Sequence, residues 1–256
     1  MYWDTGIDTY HPGVANSISR SRFEQILRFM HVSDNAALDV QDKFTKVRPL
    51  WEKLNEKWMK YWPQYNEVSI DESMIPYYGH HSTKQHIHGK PIRFGFKCWC
   101  MSTRLGYLIQ AIPYQGASTG NTNLDLGVGG SVVMNLVAKL PTDFPFHVYI
   151  DNFFTSFRLL IALMDFGHQG TGTIRSNRVE NAPLESIADI KKKQRGSYDQ
   201  IIDETSGVSL VRYNDNNVVT VASTCEGVSP VGSAQRWSSA ERKKNLDSTA
   251  LLCSNV

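Results

Sequence analysis

Two short segments hold the residues best suited to chemistry. Val68-Ser69-Ile70-Asp71-Glu72-Ser73 and Val148-Tyr149-Ile150-Asp151-Asn152-Phe153 each run an apolar, strand-type stretch into an aspartate. Aspartate has poor strand propensity and is costly to bury, so its place at a strand end calls for a reason. In open α/β sheets, ligands bind in the crevice beyond the carboxyl ends of the strands. Two aspartates on neighbouring strands would lie about 4.7–4.9 Å apart in backbone, close enough to share a divalent cation. Aspartate also caps helices and turns at such junctions, and either residue taken alone fits that role equally well. The pair favours a metal site.

The elements that must position these acids follow from hydrophobic periodicity. Phe23, Ile26, Leu27 and Met30 repeat at helical spacing and predict a helix over 17–31. Phe44, Val47, Leu50, Leu54, Trp58 and Tyr61 predict a second over 43–61, with Pro49 near a bend or a helix start. Their aromatic stripe reads as core, and neither helix carries candidate chemistry. From Val68 the period changes to that of strands: 68–71, 94–103 and 107–114. A helix over 129–140, a strand over 147–151, a helix over 156–166 and a strand over 169–174 follow. This alternation is an α/β order, not a bundle or a sandwich. Beyond Pro183, residues 198–203, 208–213 and 218–223 read as a small antiparallel module, and the chain from Ser238 onward as polar and irregular.

The 256 residues suffice for one large domain or two small ones, and the net charge of +2 is too small to argue nucleic-acid binding by itself. Its distribution says more. No acidic residue occurs from Ser73 to Leu124, where Lys84, Lys90, Arg93, Lys97 and Arg104 fall. Arg175, Arg178, Lys191, Lys192, Lys193 and Arg195 form a second basic group. Such stretches suit a polyanionic partner. The four cysteines, Cys98, Cys100, Cys225 and Cys253, make no CxxC pair and no His/Cys zinc spacing, which suits a reduced intracellular chain. No apolar run approaches the roughly 20 residues that span a bilayer, and no signal-peptide core opens the chain, so no membrane partner is expected.

Other clusters read more plainly. His80, His81, His86 and His88 lack a local Cys or acid to complete a tetrahedral zinc set and read as a polar loop between strands. Lys191-Lys192-Lys193-Gln194-Arg195 has the composition of a nuclear-localisation or phosphate-contacting patch, and equally of a solvated face. Gly127-Val128-Gly129-Gly130 lacks the order of either phosphate-binding glycine motif and reads as a turn.

Taken together, several motifs are more specific. Ser19-Arg20-Ser21-Arg22-Phe23-Glu24 with His31-Val32-Ser33-Asp34-Asn35, Ser69-Ile70-Asp71-Glu72-Ser73-Met74 and Gly89-Lys90-Pro91-Ile92-Arg93-Phe94-Gly95 occur in this order. Asp151-Asn152-Phe153-Phe154-Thr155-Ser156, Gly170-Thr171-Gly172-Thr173-Ile174-Arg175-Ser176-Asn177-Arg178 and Arg236-Trp237-Ser238 follow them. In that order and spacing the chain resembles the piggyBac family of DNA transposases and their host-domesticated derivatives over most of residues 2–242. The resemblance implies an α/β, RNase H-like core with a helical N-terminal segment and a β-rich insertion. It also implies three aspartates holding two divalent metals that cut and join DNA. Asp71 matches the first and Asp151 the second; two ions about 3.5–4 Å apart activate the attacking oxygen and stabilise the leaving one.

The third family aspartate follows the Arg-Trp-Ser motif in a Gly-Gly-Val-Asp-like segment, and the stretch from Asn245 to Val256 has no match to it. Asp199, Asp203, Glu204 and Asp247 are not placed to substitute. The expectation is therefore a truncated form, its core incomplete at the C-terminus, with weak or absent Mg²⁺ or Mn²⁺ binding and no strand transfer. Segments are expected at 1–66 (helical, part of a dimerisation or DNA-binding domain), 67–182 (RNase H-like core), 183–237 (β-rich insertion) and 238–256 (irregular tail). Asp71 and Asp151 are the catalytic and metal candidates; Lys90, Arg93, Arg175 and Arg178 are the candidates for DNA phosphate contacts. DNA is the expected partner, with homodimers or association with full-length relatives, in the nucleus. The alternatives are a metal-dependent nuclease with a replacement acid and a dominant-negative partner of full-length relatives.

Overall fold

A computed structural model describes residues 2–250 apart from 118, 120, 180, 230 and 239–241, with 231–238 and 243–250 described as backbone. Cys253 lies outside the described residues. The chain forms two compact units, Met1–Leu54 and Asn55–Val256.

In the first unit, α1 (Pro12–Ala15) and α2 (Arg20–Phe29) precede α3 (Arg48–Lys60), which runs into the second. The helix expected over 17–31 starts at Arg20 because the Ser19 hydroxyl accepts from the Arg22 N–H and caps it. That expected over 43–61 starts at Arg48, with Pro49 in the first turn, where a missing N–H costs nothing. Asp42 grips the Arg48 guanidinium there through both carboxylate oxygens, at 2.6 and 2.7 Å. The apolar stripe of α2 differs from the core role expected of it: Phe23, Ile26, Leu27 and Met30 are exposed.

In the second unit, β1 (Glu67–Pro76), β2 (Gln85–His86), β3 (Phe94–Thr103) and β4 (Leu108–Pro113) are followed by α4 (Gly127–Val137), β5 (His147–Ile150), α5 (Phe157–Asp165) and β6 (Gln169–Thr173). Then come α6 (Ile187–Lys192), β7 (Tyr198–Ile202), β8 (Ser209–Asn214), β9 (Val218–Ser223), β10 (Val231–Ser238) and β11 (Lys243–Ala250). β1 to β9 build one mixed sheet in the order β2-β3-β1-β5-β6-β9-β8-β7, with β4 also paired to β3. β1 pairs β5 and β5 pairs β6 in parallel; the other pairings are antiparallel. The module of β7 to β9 therefore extends the sheet through β6 and β9. The irregular stretch expected from Ser238 onward instead contains β11, which pairs with β10 from Ser238↔Lys243 to Val231↔Ala250. Backbone pairing with a neighbouring strand overrides a polar, weakly patterned sequence.

Strand alternation gives the sheet two unlike faces. Val68, Ile70, Trp99, Met101, Ile109, Val148 and Ile150 pack with Val132, Val133, Leu136 and Val137 of α4 and Leu159 and Leu163 of α5. Each such buried side chain contributes about 1.5–3 kcal/mol, so packing rather than propensity holds these helices. By register, the other face carries Glu67, Ser69 and Asp71 of β1, His147 and Tyr149 of β5, and Gln169, Thr171 and Thr173 of β6.

The Gly170-Thr171-Gly172-Thr173 segment serves both faces. A Cβ on Gly170 would lie 2.8 Å from Leu160 and 2.9 Å from Leu163 of α5, and one on Gly172 2.5 Å from the Ile150 carbonyl oxygen. The glycines let α5 and the end of β5 approach β6, while the threonines project to the polar face.

Candidate metal centre

The acids meet where the parallel pairing of β1 and β5 ends. That register stops at Ile70↔Ile150, so Asp71 and Asp151 are the next residue on each side. Asp71 does not end its strand as expected: β1 continues antiparallel to β3 from Asp71↔Cys100 to Pro76↔Gly95. Antiparallel pairing with β3 carries the backbone on past Asp71, so the aspartate does not terminate the strand. Asp151 does end β5.

One carboxylate oxygen from each of Asp71, Glu72 and Asp151 lies within 4.8 Å of the others. Glu72 was not singled out by sequence reasoning, because successive strand residues point to opposite faces. The Asp71 side chain accepts from the Glu72 N–H at 2.7 Å, tying the two together locally. Asp151 also does the turn-capping work that its position suggests. Its Oδ1 accepts from the Phe153 N–H at 2.9 Å, and its carbonyl accepts from the Thr155 hydroxyl at 2.8 Å. Ser156 then caps α5 by accepting from Leu159.

Three carboxylates this close repel unless a cation sits among them. Lys90 supplies one, its Nζ 3.2 Å from Glu72 Oε1. Burial works against the Lys90 ammonium, but the bond to Glu72 and the charges of Glu72, Asp71 and Asp151 outweigh it and raise its pKa. Asp71 is held above its ordinary value by burial, against the Glu72 N–H, with the Glu72 charge adding to the rise. Lys97 stacks its Nζ over the Trp99 ring at 3.8 Å, and burial lowers its pKa. An all-carboxylate donor set fits a hard divalent cation such as Mg²⁺ or Mn²⁺.

The predicted basic residues divide into two kinds. Arg93 and Arg175 are exposed, and Arg175 Nε donates to Asn152 Oδ1 at 3.0 Å, beside Asp151. Lys90 is engaged in the carboxylate cluster. Arg178 is engaged in the loop: its Nη1 donates to the carbonyls of Asn152 at 3.2 Å, Phe153 at 3.1 Å and Thr155 at 3.0 Å. Gly129 lets the first turn of α4 reach the same loop, since a Cβ there would lie 3.0 Å from the Phe153 carbonyl oxygen.

Elsewhere, His81 bonds Thr83 through Nδ1 at 2.8 Å, and His86 stacks on Phe94 at 4.5 Å. Lys192 pairs with Asp189, Lys193 with Glu185 and Arg195 with Asp215. Cys98 and Cys100 share the polar face of β3, and burial pushes both thiols up to about 12. A second group of metal-ligating side chains, His147, Cys225 and Glu226, lies at the start of β5. Sequence spacing could not reveal it, because the residues come from separate strands' ends.

A family model described as transposase IS4 matches residues 1–248. The chain is 45% identical to human PiggyBac transposable element-derived protein 3 over 95% of its own length and 41% of that protein's. It is 39% identical to human PiggyBac transposable element-derived protein 2 over 95% of its length and 42% of that protein's. The chain thus spans less than half the length of these curated relatives. Among solved structures it is similar to a piggyBac transposase chain from a cryo-EM synaptic complex with hairpin DNA. That match has a TM-score of 0.68 and 23% identity, and covers 89% of this chain and 46% of the other. An α/β mixed sheet with paired aspartates at its parallel strand ends, matched almost throughout by these relatives, places the chain in the IS4-type transposase family, among its piggyBac-derived members.

Proposed function

We propose that this chain is a transposase-derived, DNA-binding protein whose Asp71–Glu72–Asp151 cluster holds Mg²⁺ or Mn²⁺ without completing strand transfer. The observation that carries the reading is the β1/β5 register, which brings the acids together beside exposed Arg175. The order β4-β3-β1-β5-β6, antiparallel then parallel, supports an RNase H-like core within residues 67–182. Residues 1–66 are the accompanying helical segment, 183–237 the β-rich insertion and 238–256 a tail that carries β11. A cation bound at the cluster would neutralise the acids and polarise a DNA phosphate. Exposed Arg93 and Arg175 can add phosphate contacts, Arg175 while also bonding Asn152, whereas Lys90 and Arg178 first hold the site itself. The exposed apolar face of α2 supports association with a second copy or a full-length relative, in the nucleus where DNA resides.

The test is the salt dependence of binding to labelled duplex and hairpin DNA with Mn²⁺ present. Arg175→Glu is expected to weaken binding and to reduce the slope of log K against log salt by about 1. Binding that ignores both salt and this substitution would sink the assignment. Glu72 favours a second reading, a metal-dependent nuclease with a replacement acid. Mn²⁺-dependent nicking that disappears in Asp151→Ala would establish that reading and overturn the inactive one.

A further inference from the structure

The sheet's polar face carries a second, chemically different cluster at the opposite end of β5. His147 opens β5, and Cys225 and Glu226 follow β9, 78 residues later for Cys225. Cys225 Sγ lies 3.9 Å from His147 Nδ1 and 3.6 Å from Nε2. Glu226 Oε1 lies 3.8 Å from the same Nδ1.

The surrounding bonds prepare these groups as ligands. His147 Nε2 meets the Thr171 hydroxyl at 2.8 Å. With Nε2–H donating there, Nδ1 is the nitrogen left to bind a metal, 3.8 Å from Oε1 and 3.9 Å from Sγ, in the manner of metal-binding histidines whose other nitrogen is held by a hydrogen bond. Thr171 Oγ1 in turn bonds Ser223 Oγ at 2.7 Å, and Ser223 Oγ accepts from the Cys225 and Glu226 N–H groups at 3.3 and 3.0 Å. One hydroxyl network therefore sets both the imidazole and the segment bearing the other two donors. Tyr149 stacks on the His147 ring at 4.3 Å, with its hydroxyl 3.3 Å from Nδ1. The Glu226 carboxylate bonds Tyr149, yet its Oε2 is buried with no close hydrogen-bond partner among the described residues. A buried acceptor of that kind requires an explanation, and a cation is one.

We propose that His147, Cys225 and Glu226 form a zinc site, separate from the Asp71–Glu72–Asp151 cluster. Thiolate, imidazole and carboxylate are zinc's ligand types, whereas a thiolate does not suit Mg²⁺. Bonds of about 2.3 Å to sulfur and 2.0–2.1 Å to nitrogen at a tetrahedral angle set those atoms about 3.6 Å apart. The observed separations need only a small closure to meet it. The fourth position falls to water or to the Tyr149 hydroxyl. Bound there, the ion would staple the start of β5 to the segment after β9, across the intervening β6.

The test is titration of the reduced full chain with Co²⁺, read as the near-ultraviolet thiolate-to-cobalt absorption. An all-oxygen cluster cannot produce that band, so the result is independent of metal at Asp71 and Asp151. The band is expected to saturate at about one ion per chain and to be displaced by Zn²⁺. It should vanish in Cys225→Ser, persist in Cys253→Ser, and form with about 10–100-fold weaker affinity in Thr171→Val. Zn²⁺ should also slow alkylation of Cys225 in the parent chain, located by peptide mass, which needs no variant to fold. No band in the folded parent, a band surviving Cys225→Ser, or alkylation indifferent to Zn²⁺ overturns the proposal.

Discussion

Arg178 separates a phosphate contact from a structural clamp. One Nη1 group bonds three carbonyls of one loop, those of Asn152, Phe153 and Thr155, at 3.0–3.2 Å, and that loop begins at Asp151. Two of the three contacts are partly buried and one is exposed. A hydrogen bond from a charged donor contributes about 1.5–3 kcal/mol, and one amino group with two hydrogens cannot give three such bonds at full strength. Arg178→Met, which keeps the stem's packing, is therefore expected to cost about 1.5–3 kcal/mol in all. At about 2–4 °C per kcal/mol for a chain of this size, the melting temperature should fall by roughly 3–12 °C. Asp151 then loses its fixed position, so the upward shift in melting on adding Mn²⁺ should shrink as well. Arg175→Met gives up one exposed bond to Asn152 and should change stability by less than about 0.5 kcal/mol. Differential scanning fluorimetry with and without Mn²⁺ measures all of this. If Arg178→Met leaves melting and the Mn²⁺ response unchanged while weakening DNA binding, the clamp argument is wrong and the residue is a phosphate contact.

Asp71→Asn should remove the Mn²⁺ response yet leave metal-free melting at neutral pH equal or higher. A carboxyl whose folded pKa is raised, here by burial, favours the fold while protonated and loses that contribution as pH rises through the folded value. The variant's advantage should accordingly fade as pH falls through the raised folded value toward 3.8 and be absent below it, a trend that melting curves across pH will show or refute. Gly172→Ala pushes a methyl to 2.5 Å from the Ile150 carbonyl oxygen and 2.7 Å from its Cγ1. Overpacking against backbone places the cost near the top of the usual 1–3 kcal/mol, about 3 kcal/mol, seen as a lower urea midpoint at unchanged slope. An unchanged midpoint would show that β6 can move away from β5.

The two aspartates, the α/β order and the family resemblance were legible in residues 1–256, because each depends on local pattern: apolar period, strand-type runs and short motifs. The Gly-Thr-Gly-Thr segment was legible as a motif but not as a mechanism; only the packed sheet shows Gly170 facing α5, Gly172 facing the end of β5 and the threonines facing the polar side. Glu72 escaped assignment to the site, and Lys90 was expected as a phosphate contact and not as a partner of the acids, for the same kind of reason. Alternation separates Glu72 from Asp71, and Lys90 reaches it from a loop after the intervening turn. The continuation of β1 past Asp71 was decided by β3, and β11 by β10, since strand pairing is a property of two segments and neither announces its partner. His147, Cys225 and Glu226 became neighbours only through the order β5-β6-β9, which folds two distant strand ends onto one face. Sequence alone determined which chemistry the chain could carry, because side-chain type is local. Tertiary structure decided which groups share a site, because that depends on register and sheet order, which long-range pairing and packing impose.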